Sequence, residues 1–215
     1  MSEQSAVAGA SAVRPVPMEA AHLNTERHLE RNLALAKPED TARGMFFNGA
    51  VDAVKKLAGE EVAQRCRAAT GERKHIDFFS YPVSSFLKMC LAANMQVGAR
   101  LGGCEKVLRR IGQQSTHDFL SSMAGKTAIL LAGGSVKRLM GQLPSSYRAA
   151  VSYGDRALLW TGEQSGRFII QHDFMPPAYH EGVLLGVMEA AGVRPVLVRG
   201  RMTGTLDSEY ELSWE

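Results

Sequence analysis

Cysteine is scarce in this chain: three occur in 215 residues, Cys66, Cys90 and Cys104, an odd set with no short pairing interval. That argues against a disulfide framework and against a zinc knuckle, and a reducing cytoplasm fits it. Long apolar runs are missing too. The longest, such as Thr127 to Ala132, fall far short of the roughly 20 residues that span a bilayer. There is no basic block either. The 25 Lys and Arg and 22 Asp and Glu leave a formal charge of +3 spread along the chain, so nucleic acid is not an expected partner. Residues 1–17, rich in Ala, Ser and Val with Pro15 and Pro17, lack the basic start and continuous apolar core of a secretion signal. They read as a disordered tail with too little apolar surface to offset its ordering entropy.

What is present suits one domain with an appendage, since 45% hydrophobic residues in a chain of this length can bury a proper core. Leu23, Leu29, Leu33 and Leu35 recur among Glu, Arg and Asn at roughly helical intervals, which predicts an amphipathic arm over 18–40, interrupted at Lys37-Pro38. A single domain over 41–215 follows. Its first half is helical, with breaks at Gly59, Gly71, Gly102-Gly103 and Gly133-Gly134 and an outer face on one helix holding Lys106, Arg109 and Arg110. Pro144 is expected to close this half. Strands are predicted over Arg148 to Tyr153 and Arg156 to Thr161, around Gly154-Asp155, then over Arg167 to His172. A helix from about Ala178 to Ala191 and a closing hairpin of Pro195 to Met202 with Ser208 to Trp214 complete the chain. The fold class is α+β, with a helical N-terminal half on a small antiparallel β-β-α-β-β sheet.

No catalytic or metal signature with the spacing its chemistry demands occurs. Ala124-Gly125-Lys126-Thr127 resembles the end of a phosphate-binding loop, but the first glycine of the pattern is replaced by Leu120. Gly133-Gly134-Ser135 with Lys137 and Arg138 reads as an anion site at a helix start or, with more weight, as a break plus a cap. Cys104, His117 and Asp118 make a triad only on paper. His172, Asp173, His180 and Glu181 flank one proline turn, and Asp173, His180 and Glu181 form the candidate polar site. Capping outweighs metal there, because Asp173 can satisfy N–H groups near the turn and Glu181 lies in a first helical turn. No metal or cofactor is expected. Met89, Met95, Met123 and Met140, with Phe46, Phe47, Phe78, Phe79 and Phe86, read first as core and second as the lining of an adaptable cavity. Cys90 and Cys104, small buried hydrophobes on that reading, are also where a fatty chain would touch or acylate a thiol facing such a cavity.

Gly44-Met45-Phe46-Phe47-Asn48-Gly49, Tyr81-Pro82 with Phe86-Leu87, Leu143-Pro144-Ser145-Ser146-Tyr147-Arg148 and Val151-Ser152-Tyr153-Gly154-Asp155-Arg156 resemble an uncharacterised family found mainly in myxobacteria. So do Asp173-Phe174-Met175-Pro176-Pro177-Ala178-Tyr179-His180-Glu181-Gly182-Val183-Leu184 and Leu206-Asp207-Ser208-Glu209-Tyr210-Glu211-Leu212-Ser213-Trp214. The resemblance spans Thr41 to the C-terminus and implies a scaffold without an assigned activity. The order of elements is similar, more remotely, to the superfamily of haem nitric-oxide sensors, vinyl-4-reductase ligand-binding domains and transport-particle subunits. That implies an enclosed apolar ligand or an assembly subunit, by analogy of fold. The helical histidine and Tyr-x-Ser-x-Arg clamp of the haem version are not reproduced by Tyr147-Arg148 or by Tyr153 to Arg156, and the zinc-binding cysteines of some vinyl-4-reductase domains are missing.

Two readings follow. The first is a non-enzymatic, cytoplasmic sensory domain holding a small apolar or lipid-like ligand between helices and sheet, with Phe46, Phe86, Met89, Cys90, Cys104 and Tyr147 as ligand-binding candidates. The second is an interaction module, homodimer or adaptor, whose arm buries its leucines on a partner. An enzyme built on Asp173, His180 and Glu181 is a third.

Overall fold

The computed structural model describes the backbone of residues 18–215 and side chains from residue 25 onward; the expected tail over 1–17 and the side chain of Leu23 lie outside the described residues. Helix α1 (Met18–Leu35) leads into strand β1 (Thr41–Arg43), helices α2 (Gly44–Ala58) and α3 (Glu60–Ala68), strand β2 (Ser80–Pro82) and helices α4 (Val83–Leu101) and α5 (Cys104–Ser121). Three shorter helices follow, α6 (Met123–Ala132), α7 (Val136–Gly141) and α8 (Leu143–Ala150), and then β3 (Asp155–Trp160), β4 (Ser165–Gln171), α9 (Pro177–Ala190), β5 (Pro195–Met202) and β6 (Ser208–Trp214). The α+β class and the β-β-α-β-β succession agree with the sequence reading.

Local chemistry explains several boundaries. Helix α4 starts directly after Pro82, where a missing N–H costs nothing, and ends on Gly102 at φ 84°, a left-handed position that suits glycine. Ser122 caps α6 by accepting from Gly125 N, and Ser135 caps α7 by accepting from Arg138 N. Gly125-Lys126-Thr127 is therefore helix, not a phosphate loop, and Gly133-Gly134-Ser135 is a break and a cap.

Two strand boundaries differ from expectation. Residues 148–150 end helix α8, and the turn of the β3–β4 hairpin falls at residues 161–164, not at Gly154-Asp155. The reason lies at Pro144. It occupies the first turn of α8, where proline is pre-organised for helix, and so it opens one more helix where the sequence reading had it close the helical half.

The main sheet has the order β3-β4-β6-β5, every pair antiparallel. In β6 the alternation holds: Tyr210, Leu212 and Trp214 are buried while Glu211 faces solvent. Helix α9 lies between this sheet and α5 and is buried almost all round, as expected of a helix covered on two sides. Its approach to α5 depends on small residues. A β-carbon on Gly182 would strike the Arg109 carbonyl oxygen, and one on Gly112 would strike the Tyr179 carbonyl oxygen.

Buried apolar residues form two clusters. One joins α1 through α5 with the start of α9; the other joins α6 to α8, the sheet and the rest of α9. The arm is part of the first: Leu29 is fully buried, Leu33 packs beside it, and the buried Asn32 donates to the Phe174 carbonyl. Among the described residues no helix is long and apolar enough to cross a membrane.

Candidate functional site

A cavity of about 460 Å³ opens at the seam between the two clusters. Tyr179 and Val183 supply its wall from the first cluster, and Leu120, Leu139, Tyr147 and Val187 from the second. Helices α2, α5, α6, α7, α8 and α9 contribute most of the lining and Arg43 of β1, Phe78 and Gln142 the rest, so the cavity lies mainly between helices, whereas the sequence placed it between helices and sheet. The cause is α9, which covers the inner face of the sheet and presents its other side to the cavity. Ser115, Thr116, Gln142 and Ser146 are scattered polar groups in a wall that is otherwise largely apolar, the usual make-up of a small-molecule site. Among the described residues no histidine or cysteine lines it.

Of the ligand-binding candidates, Phe46 and Tyr147 line this cavity, while Phe86, Met89, Cys90 and Cys104 lie in the solid part of the first cluster. Phe86 reaches it indirectly, edge-on to Tyr179 with centroids 5.8 Å apart. Burial pushes the Cys104 thiol up to about 12 and raises that of Cys90 further, so neither supplies a thiolate. The aromatics and methionines divide. Phe47, Phe86, Met89 and Met140 are core, but Phe78, Phe79, Met95 and Met123 are exposed. The paper triad separates: Cys104 and His117 sit thirteen positions apart on α5, about 20 Å along the helix axis, and His117 pairs with Glu189 at 2.9 Å.

Behind Tyr147 lies a buried polar chain. Its hydroxyl is 3.0 Å from His180 Nδ1, and His180 Nε2 is 3.1 Å from Asp173 Oδ1, close enough to pair electrostatically though not aligned as a hydrogen bond. Asp173 Oδ2 accepts from Arg156 Nη2, and Oδ1 accepts from the Met175 N–H at 2.8 Å. Burial alone would raise the Asp173 carboxyl, but the adjoining His180 ring and Arg156 guanidinium overcome it and hold the group well below the usual carboxylate range. Burial pushes the Tyr147 phenol upward, and the nearby Asp173 charge adds to that.

Glu181 belongs to a different network. Lying beyond the first turn of α9, it accepts from Arg109 of α5 and from the Gly200 N–H of β5 at 2.7 Å, tying three elements together instead of serving a helix end. Arg109 is accordingly half-buried and not on an outer face. The sequence reading joined Asp173, His180 and Glu181; the structure joins only the first two, because adjacent helical residues point about 100° apart. It overlooked Arg156, whose one signal was an arginine at an inward position of a strand. It also overlooked the α5 and α7 wall residues, which nothing in their spacing distinguishes from core. Among the described residues no group of three or more His, Cys, Asp or Glu could hold a metal ion.

The family described as "Protein of unknown function (DUF2378)" matches residues 35–215. The chain belongs to this family. No curated protein matches the sequence. Among solved structures, an Fe(II) unliganded H-NOX protein from K. algicida superposes with TM-score 0.60 and 10% identity, over 80% of this chain and 96% of that one. An H-NOX protein from S. oneidensis in the Fe(II)NO ligation state gives TM-score 0.64 and 14% identity over 80% and 99%. An oxygen binding H-NOX domain related to soluble guanylate cyclases gives 0.61 and 9% over 80% and 95%. At these identities the likeness is one of fold, and it is the remote resemblance drawn from element order.

Proposed function

We propose that this protein is a non-enzymatic sensory domain that binds a small apolar or lipid-like molecule in the helical cavity. The observation that carries the reading is the cavity itself. Its volume of about 460 Å³ falls within the ~300–1,000 Å³ typical of ligand sites, and it lies where two buried clusters meet, so occupancy would alter how they pack. Structural neighbours whose descriptions include bound nitric oxide and oxygen support a ligand-binding use of the fold. A cytoplasmic location belongs to the same reading, since three buried free thiols suit a reducing compartment.

Haem, which the H-NOX neighbours bring to mind, does not fit the residues present. An axial ligand would have to come from the wall, where there is no histidine or cysteine. His180 is committed to Tyr147 and Asp173, and burial keeps the Tyr147 and Tyr179 phenols protonated.

Denaturing extraction of the purified protein followed by mass spectrometry should release an apolar small molecule, or the cavity should take up a fluorescent apolar probe. Ala128→Trp, which fills the cavity from α6, should weaken probe binding by about tenfold or more while shifting the melting temperature by only a few degrees. Unchanged binding in that variant would reject the site.

An interaction module, as homodimer or adaptor, is favoured by one feature: Met123, Leu130 and Leu131 of α6 are 81%, 79% and 70% exposed. Leu29 and Leu33, which motivated a docking arm, are already packed within the chain. Light scattering of the wild type and of Leu130→Asp/Leu131→Asp separates the readings. An oligomer that dissociates in the variant supports the module, and a monomer in both removes the homodimer.

A further inference from the structure

Resting on the cavity reading above, we infer that the ligand is an apolar molecule ending in a carboxylate, with its head group on Arg43 and its tail along α5, α7 and α9. Among the described residues Arg43 is the sole charged residue in the cavity wall. Its neighbours hold the side chain without neutralising it. Nη1 donates to the Phe78 carbonyl at 2.5 Å and Nε to the Ala149 carbonyl at 3.5 Å, and both acceptors are uncharged backbone oxygens of cavity-lining residues.

Among the described residues no carboxylate lies within ion-pair distance of Arg43, and its Nη2 has no acceptor. Arg43 is half-buried, and the two arginines that tie α9 to its neighbours and to Asp173 contrast with it. Arg156 and Arg109 each face a carboxylate, Asp173 and Glu181 respectively. Asp77, next in sequence to the cavity-lining Phe78, is engaged by Asn48 Nδ2 at 2.7 Å. A fixed guanidinium with a free N–H edge and no counter-charge, set in an otherwise uncharged apolar wall, matches an amphiphile whose planar anionic head accepts from the fork while its chain stays out of water. A neutral apolar ligand would leave the free N–H edge of this half-exposed group to solvent alone.

The test compares two probes of equal chain length, dodecanoate and dodecanol, by titration calorimetry on the full chain at neutral pH. A charge-assisted hydrogen bond present for one head group and not the other predicts that dodecanoate binds about ten- to a hundredfold more tightly. Arg43→Gln should bring dodecanoate down to the level of dodecanol and leave dodecanol unchanged. Equal wild-type affinities, or a variant that loses both probes in proportion while still melting cooperatively, overturn the carboxylate assignment and leave the apolar cavity standing. Binding of neither probe overturns the cavity reading along with it. Since Arg43 also supports two backbone carbonyls, the wild-type head-group comparison decides the question even if the variant folds poorly.

Discussion

Asp173 holds two partners, Arg156 and His180, away from water at once. Arg156 and Asp173 have side chains only 1% and 2% exposed, and His180 is equally enclosed. A buried pair adds little net stability over an apolar replacement, but removing one member leaves the other charged and unpartnered. Asp173→Ala is therefore expected to cost about 3–5 kcal/mol in urea unfolding. Tyr147→Phe, which removes a hydroxyl that His180 Nδ1 otherwise meets, should cost only about 1 kcal/mol. If the two variants proved equally mild, the buried Arg156–Asp173 pair would not be a stabilising support behind Tyr147. Arg156 shows why this was hidden in the sequence: an arginine in a strand is normally an outward residue, and only the pairing of β3 with β4 turns this one inward, to 6% exposure.

Helix α9 is the element on which both clusters depend. Its existence was plain from Pro176-Pro177 before it and Gly192 after it, and its many apolar positions announced burial. What it packs against was not plain. Gly182 and Gly186 read as ordinary weak points in a helix, yet they let α5 approach until Gly182 touches the Arg109 backbone and Gly186 touches Thr116. Gly182→Ala should consequently destabilise the protein by about 1–3 kcal/mol, despite the ~1 kcal/mol that alanine gains in helix propensity, because backbone at the contact cannot yield as a side chain would. Thermal melting checks the sign. The same substitution at Gly141, where a β-carbon meets nothing within 4 Å, provides the control and should stabilise slightly.

At the scale of the whole molecule, acid should weaken the fold in two stages. His75 is 2% exposed, stacked on Phe47, and neither ring nitrogen has a protein partner, so burial lowers its pKa from the ordinary 6.5; His28 is lowered for the same reason, with Arg31 adding to it. Both are favoured neutral in the fold. Below pH 6.5 the unfolded chain takes up protons that the native state refuses, and stability falls as pH drops from there toward the lowered values. Asp173, depressed in the fold, contributes stability that is present above 3.8 and is lost as pH falls below that. Melting temperature against pH should show the first decline near 6.5, and His75→Phe should reduce that step while leaving the one below 3.8. An undiminished first step would mean that another group carries it.

The sequence by itself determined the class of the fold, the order of its elements and the alternation of β6, because periodicity, proline placement and glycine breaks act over a few residues and are written locally. It marked Phe46, Asp173 and His180 as worth attention through residue type and local spacing, and Tyr147 through a motif shared with the resembling family. Only the tertiary structure decided that the cavity lies between helices, that Cys90 and Cys104 are sealed in the core, that Glu181 serves Arg109 instead of His180, and that Arg43 stands alone as a charge in the cavity wall. Each of those outcomes depends on residues far apart in the chain being brought to within a few ångströms, and the close crossing of α5 and α9 is the step that sets those distances.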